Sequence, residues 1–218
     1  YIAVVFKKKY VVLSMVNIKA SFFTLLILIA FAFFGYAQKA EVQILKTNQT
    51  ISIDGVLNDN EWQDGMALEM PKLYNRESSV YVTYDTDYLY IAFKNLVDNN
   101  SNKINPEVLI STAVTSDTWT QDAFWYHVSY SCCTARGLYY FWEQCDNNPP
   151  DWQANTYPFT DGHNNVEIRI AWSALKITQL ENLKLKMAFK LSDPLERHTY
   201  WPEVANIANP DTWGTITF

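Results

Sequence analysis

Covalent, metal or acid–base chemistry in this 218-residue chain would have to come from three cysteines, three histidines and 23 acidic residues. Glycoside hydrolysis needs two carboxyl groups at a set separation, and acyl transfer needs a nucleophile beside a base. The acidic residues form no recognisable pair, and there is no Gly-x-Ser-x-Gly, zinc motif or phosphate-binding loop. A stand-alone enzyme is therefore not the expected reading. Cys132, Cys133 and Cys145 allow one disulfide and leave one thiol over. A hairpin over residues 124–144, turning at Thr134-Ala135-Arg136-Gly137, would set Cys145 opposite Tyr126. A bridge would then need Cys145 to fold back from the following loop, and a metal site made of these cysteines with His127 is not expected.

The aromatic residues carry the stronger signal. The chain has eight tryptophans, all of them beyond residue 61. A single-domain core accounts for only some of these, so others should be surface contacts.

The elements that must position these groups are strands. Ser79–Asp85 alternates with Val80, Val82 and Tyr84 on one face, and Tyr88–Asn95 alternates again after a tight Thr86-Asp87 connection. Asn165–Ala171 should bury Val166, Ile168 and Ile170 and expose Glu167 and Arg169. Leu183–Ser192 sets Leu183, Leu185, Met187, Phe189 and Leu191 against Lys184, Lys186 and Lys190. Helical signal is limited to single turns near Asn58–Gln63 and Trp172–Leu175, and the loops are long and polar. The pattern predicts an all-β antiparallel β-sandwich, jelly-roll-like, with one or two short helical turns. Its functional residues should lie on the long loops or on one sheet face.

The stretch ISIDGVLNDNEWQDG, Ile51–Gly65, reads as a corner. Ile51 and Ile53 should enter the core from a first strand, Asp54-Gly55 should turn the chain, and Asn58 or Asp59 should cap a turn. That turn would aim Trp62 back into the sandwich.

Ahead of the domain, Phe22–Phe34 is an apolar run broken only by Thr24, preceded by Lys19 and followed by Gly35-Tyr36-Ala37. Small residues at −3 and −1 before Gln38 predict a secretory signal peptide over residues 1–37. Residues 1–14 would then be upstream of a start at Met15. The run is shorter than the roughly 18 apolar residues of a membrane span, so no membrane association is expected after cleavage. The mature domain, residues 38–218, keeps 13 basic against 23 acidic residues, a balance of −10. Such an acidic export product is a poor partner for nucleic acid or anionic lipid.

The corner IDGVLNDNEW resembles the opening signature of the family 9 carbohydrate-binding modules and their DOMON-like relatives. Further segments resemble that family in the same order. VYVTYDTDYLYIAFKNLVD is similar to its central hairpin, and TWTQDAFWYHV to a segment in which an aromatic precedes an acidic residue. VEIRIAWSAL and NPDTWGTITF are similar to its later strands. The resemblance spans about Ile51–Phe218.

What the resemblance implies is a secreted, non-catalytic β-sandwich that binds an oligo- or polysaccharide, in the best-known branch at chain ends, and that accompanies a glycoside hydrolase. One sugar ring would lie between two tryptophans, here Trp119 and Trp201, with Gln121, Glu203 and Asn206 as polar candidates for the hydroxyls. The chemistry agrees: a pyranose offers polarised C–H patches to an indole face and hydroxyls around its rim. Two departures stand out. Trp125 occupies a position where the sugar-binding branch commonly has glutamate, and LYYFWEQ lacks the arginine expected on the next strand. The family also implies structural calcium, for which Asp98 and Asp122 are the candidates. Some DOMON-like relatives bind haem through His or Met. Only His127, His163, His198, Met66, Met70 and Met187 could serve here, and no haem is expected. The alternatives to sugar binding are that haem-binding role and a cell-surface protein-interaction module using the aromatics as anchors.

Overall fold

A computed structural model describes residues 39–97, 104–128, 132–136, 144–146, 151–158, 162–195 and 197–218. The expected signal peptide and Asp98 lie outside the described residues. For 132–136 and 144–146 the description is of backbone pairing.

Thirteen strands are described: β1 Glu41–Gln43, β2 Met66–Leu73, β3 Arg76–Tyr84, β4 Tyr88–Val97, β5 Asn105–Ser111, β6 Ala123–Val128, β7 Cys132–Arg136, β8 Gln144–Asp146, β9 Trp152–Pro158, β10 His163–Ala171, β11 Lys184–Ser192, β12 His198–Trp201 and β13 Gly214–Thr217. The first sheet, which has eight strands, runs β1-β13-β11-β5-β6-β7-β8, with β12 also paired to β11. The second sheet, which has five, runs β2-β3-β4-β10-β9. Pairing is antiparallel except between β1 and β13. Among the described residues the only helical element is a 3-10 turn, Pro210–Thr212. The molecule is the expected all-β sandwich.

The two inner faces bury one apolar cluster. Val80, Val82, Ile91, Phe93, Val166 and Ile168 come from one sheet and Val108, Ile110, Phe124, Met187, Phe189 and Ile216 from the other. Phe93 and Phe189 meet edge to face across the interface, with centroids 6.1 Å apart. Period-two alternation drives this arrangement, because each strand turns every second side chain inward. The β3–β4 turn is held by Asp85, whose carboxylate accepts the amides of Asp87 and Tyr88 and the Tyr90 hydroxyl. Its carbonyl accepts Trp172 Nε1 at 3.1 Å, which ties this turn to the one after β10.

Each sheet also carries a smaller cluster on its outer face, and here the structure corrects three expectations. Ile51–Gly65 does not enter the sandwich as a strand. Ile51 and Trp62 pack on the outer face of the five-stranded sheet against Tyr90 and Ala92, whose neighbours Ile91 and Phe93 face the core. A two-residue alternation says which residues share a face, but not which surface that face meets. Glu167, expected to be exposed, is fully buried, because this corner folds over it. The β6–β7 hairpin pairs Val128 with Cys132, so Thr134–Arg136 lies within a strand and not in a turn. Cys145 therefore stands opposite Cys133, while Tyr126 stands opposite Thr134.

Candidate functional site

The outer cluster of the five-stranded sheet is a closed clamp. One Glu167 oxygen accepts Trp62 Nε1 at 2.7 Å, and the other accepts the amides of Gly55 at 2.7 Å and Asp54 at 3.0 Å. Gly55 has φ +85°, and a Cβ there would meet the Tyr157 amide nitrogen at 2.4 Å, so only glycine fits. Asp54 accepts its own turn's Val56 amide, and the Asn58 side chain accepts the Asn60 amide. Every donor to Glu167 is neutral. Burial pushes its carboxyl above the ordinary glutamate range more than these hydrogen bonds pull it down.

The outer cluster of the eight-stranded sheet is built differently. On β5, Val108 and Ile110 face the core, so Glu107, Leu109 and Ser111 face outward. Opposite them stand His127, Trp125 and Ala123 of β6, and Lys190, Ala188 and Lys186 of β11. Loops 113–122 and 202–213 cover the centre. Trp213 and Trp125 are buried there with Leu109, Ala188, Ala205 and Ile207, while Trp119 and Tyr200 are half-buried at the margin. Trp119 is held firmly. Its Nε1 donates to the Ile207 carbonyl at 2.8 Å, and its ring meets Trp213 edge-on at 5.8 Å and Trp125 at 6.5 Å. Trp213 Nε1 in turn donates to the Asn206 carbonyl at 2.8 Å.

Beneath this aromatic layer lies Glu107, 2 % exposed. It accepts Trp125 Nε1 at 2.6 Å, Lys190 Nζ at 2.9 and 3.1 Å, and the Ser192 hydroxyl. His127 Nδ1 stands 3.8 Å away. Burial alone would raise the Glu107 carboxyl. The His127 imidazole, the Lys190 ammonium and the Ser192 hydroxyl together outweigh it and hold the group below the ordinary glutamate range. The Lys190 ammonium also lies over the Trp125 ring, 5.4 Å from its centroid.

The sequence-predicted residues divide accordingly. Trp119 lies on this outer face. Trp201 does not join it: on β12 it pairs with Phe189 and packs against the main core, its ring 5.6 Å from that of Phe189. A Cβ on Gly214 would lie 2.8 Å from the Trp201 ring, so the glycine makes room for the indole on the inner face. Tyr200, one residue earlier, pairs with Lys190 and is the β12 aromatic on the Trp119 side. Gln121, Glu203 and Asn206 are exposed on the covering loops, and the Asn206 side chain accepts the Ala208 amide at 2.9 Å.

Asp122 is exposed, and no group of three His, Cys, Asp or Glu among the described residues could hold a metal ion. Met187 is fully buried in the core, and the three histidines lie on different strands, β6, β10 and β12.

Glu107, Lys190 and Tyr200 were not singled out from the sequence as site residues. The signal for Glu107 is a single carboxylate among apolar residues in NPEVLIS, facing a strand whose outward positions are lysines.

The fold of these two sheets is that of solved family 9 carbohydrate-binding modules. The chain is similar to a module of this family from Caldicellulosiruptor kristjanssonii solved in complex with cellotriose, at TM-score 0.58 and 15 % identity, covering 81 % of this chain and 92 % of that one. It is likewise similar to a family 9 module from the same organism in complex with glucose, at TM-score 0.59 and 15 % identity, covering 81 % and 94 %. No family model matches the sequence, and no curated protein does.

Proposed function

We propose that this chain is a secreted, non-catalytic module that binds carbohydrate on the outer face of its eight-stranded sheet. The observation that carries the proposal is Trp119, a half-buried indole fixed by its bond to Ile207 and by contact with the rings of Trp125 and Trp213. An aromatic face fixed before the ligand arrives binds a sugar ring with little loss of side-chain entropy. Tyr200 supplies a second aromatic on the same face, and Gln121, Glu203 and Asn206 supply polar groups on the loops above. The fold it shares with modules solved with cellotriose and glucose supports the same ligand class.

In this reading the domain holds a neighbouring hydrolase on a polysaccharide and takes part in its breakdown without cutting it. Two of the buried carboxylates fit the non-catalytic role. Glu107 and Glu167 lie on opposite outer faces, each already occupied by donors, so they cannot flank one glycosidic bond.

A glycan array followed by calorimetry tests the proposal. Binding of an oligosaccharide such as cellotriose at millimolar concentration or below supports it, and absence of binding to every glycan at that concentration overturns it.

A further inference from the structure

We infer that Glu107 is a positioning residue of the candidate site, presenting Lys190 as a charge-neutralised hydrogen-bond donor to the bound sugar; this rests on the carbohydrate reading above. Glu107 is 2 % exposed and covered by the aromatic layer, so it does not meet the ligand itself. Both of its oxygens are occupied by Trp125, Lys190 and Ser192. A carboxylate saturated in this way has little acceptor capacity left for a sugar hydroxyl.

Lys190 is the group through which it acts. An ammonium carries three donors, and the Glu107 carboxylate engages only one side of it. Its side chain is 13 % exposed, it stands beside Tyr200 across the β11–β12 pair, and it lies over the Trp125 ring. Two contacts therefore fix the ammonium at the edge of the aromatic face, and its free donors serve an oxygen of a ring resting there.

The ion pair also sets the electrostatics. A cation compensated at 2.9 Å by a buried carboxylate exerts little net field at the ligand. Asp122 and Glu203 are exposed carboxylates on the covering loops and add negative charge on this side of the domain. Selection at this site therefore works through hydrogen bonding, and a negatively charged sugar gains nothing from Lys190. Removing the Glu107 charge while keeping its shape would release the Lys190 field.

The test compares a neutral probe, cellotriose, with an oligouronate of equal length, by calorimetry at low and moderate salt. The wild-type domain should bind the neutral probe at least about tenfold more tightly, with an affinity that salt hardly changes. Glu107→Gln should shift the neutral-to-acidic affinity ratio at least about tenfold toward the acidic probe and make that binding salt-dependent, which loss of fold stability alone would not do. Lys190→Met should weaken the neutral probe without gaining the acidic one. A wild-type preference for the oligouronate overturns the inference and leaves the carbohydrate reading standing. An unchanged ratio in a folded Glu107→Gln domain does the same. Binding of neither probe nor any other glycan overturns both. Should Glu107→Gln fail to fold, the wild-type ratio and Lys190→Met decide.

Discussion

The two outer faces use the same device to different ends. Each buries a glutamate beneath an aromatic layer and lets an indole N–H bond it, Trp62 to Glu167 on one side and Trp125 to Glu107 on the other. Glu167 is closed off by neutral donors from a single chain corner, which covers Tyr90 and Ala92 beside it. Glu107 is instead bonded by a cation on the neighbouring strand, and the surface above it keeps Trp119 and Tyr200 half-exposed. The acid–base properties follow: Glu167 is raised and Glu107 lowered from the same starting value of 4.5. A buried carboxylate is therefore not by itself a mark of function. The charge of its partner and the accessibility of what lies over it distinguish the clamp from the candidate site.

Replacing the clamp's indole should have the largest effect. Trp62→Ala removes a side chain that is 4 % exposed and strips Glu167 of one donor. It should destabilise the domain by about 3–5 kcal/mol, read from urea unfolding. A loss below about 1 kcal/mol would mean that the corner does not hold the fold. Trp201→Ala should also act on stability, by about 2–4 kcal/mol given its partial exposure, while a folded variant keeps most of its sugar affinity. Wild-type stability with abolished binding would return Trp201 to the site.

The opposite pKa shifts give a finer test. Glu107 has a folded pKa below 4.5, so its contribution is fully present above that value and is lost as pH falls through the folded pKa. Glu167 has a folded pKa above 4.5, so the folded state binds the extra proton, and stability falls as pH rises through the window above 4.5. Stability–pH profiles of Glu107→Gln and Glu167→Gln should therefore diverge from wild type with opposite slopes on the acid side of neutrality. Parallel profiles would show that the two carboxylates sit in equivalent environments. The smallest expected effect is at the margin of the site: Tyr200→Phe should leave folding unchanged and alter sugar affinity by threefold or less, measured by calorimetry.

Much of the fold was legible because period-two alternation is a strong signal. The β3–β4 hairpin and the lysine-faced β11 appear where Ser79–Asn95 and Leu183–Ser192 alternate. What alternation does not encode is the surface each face meets. Ile51 and Trp62 are apolar enough for the main core, yet they serve a second core outside it. Glu167 looked solvent-facing for the same reason, since its three donors come from residues more than a hundred positions earlier. On the outer face of the eight-stranded sheet, which of Tyr200 and Trp201 joins the side of Trp119 rests on the register with Lys190 and Phe189. One residue of shift exchanges the two faces. Glu107 is hidden in the sequence because its three partners lie on the two strands that flank it, Trp125 on β6 and Lys190 and Ser192 on β11.

The most direct measurement of the central claim is calorimetric titration of cellotriose into wild type, Trp119→Ala and Tyr81→Ala, with folding of each checked by unfolding midpoint. Tyr81 lies on the outer face of the five-stranded sheet and serves as the control for the opposite surface. The account predicts that Trp119→Ala weakens binding by at least about thirtyfold, the effect of losing an aromatic anchor, while Tyr81→Ala changes it by less than about twofold. A folded Trp119→Ala domain that binds with wild-type affinity, or a loss of binding in Tyr81→Ala, would contradict it.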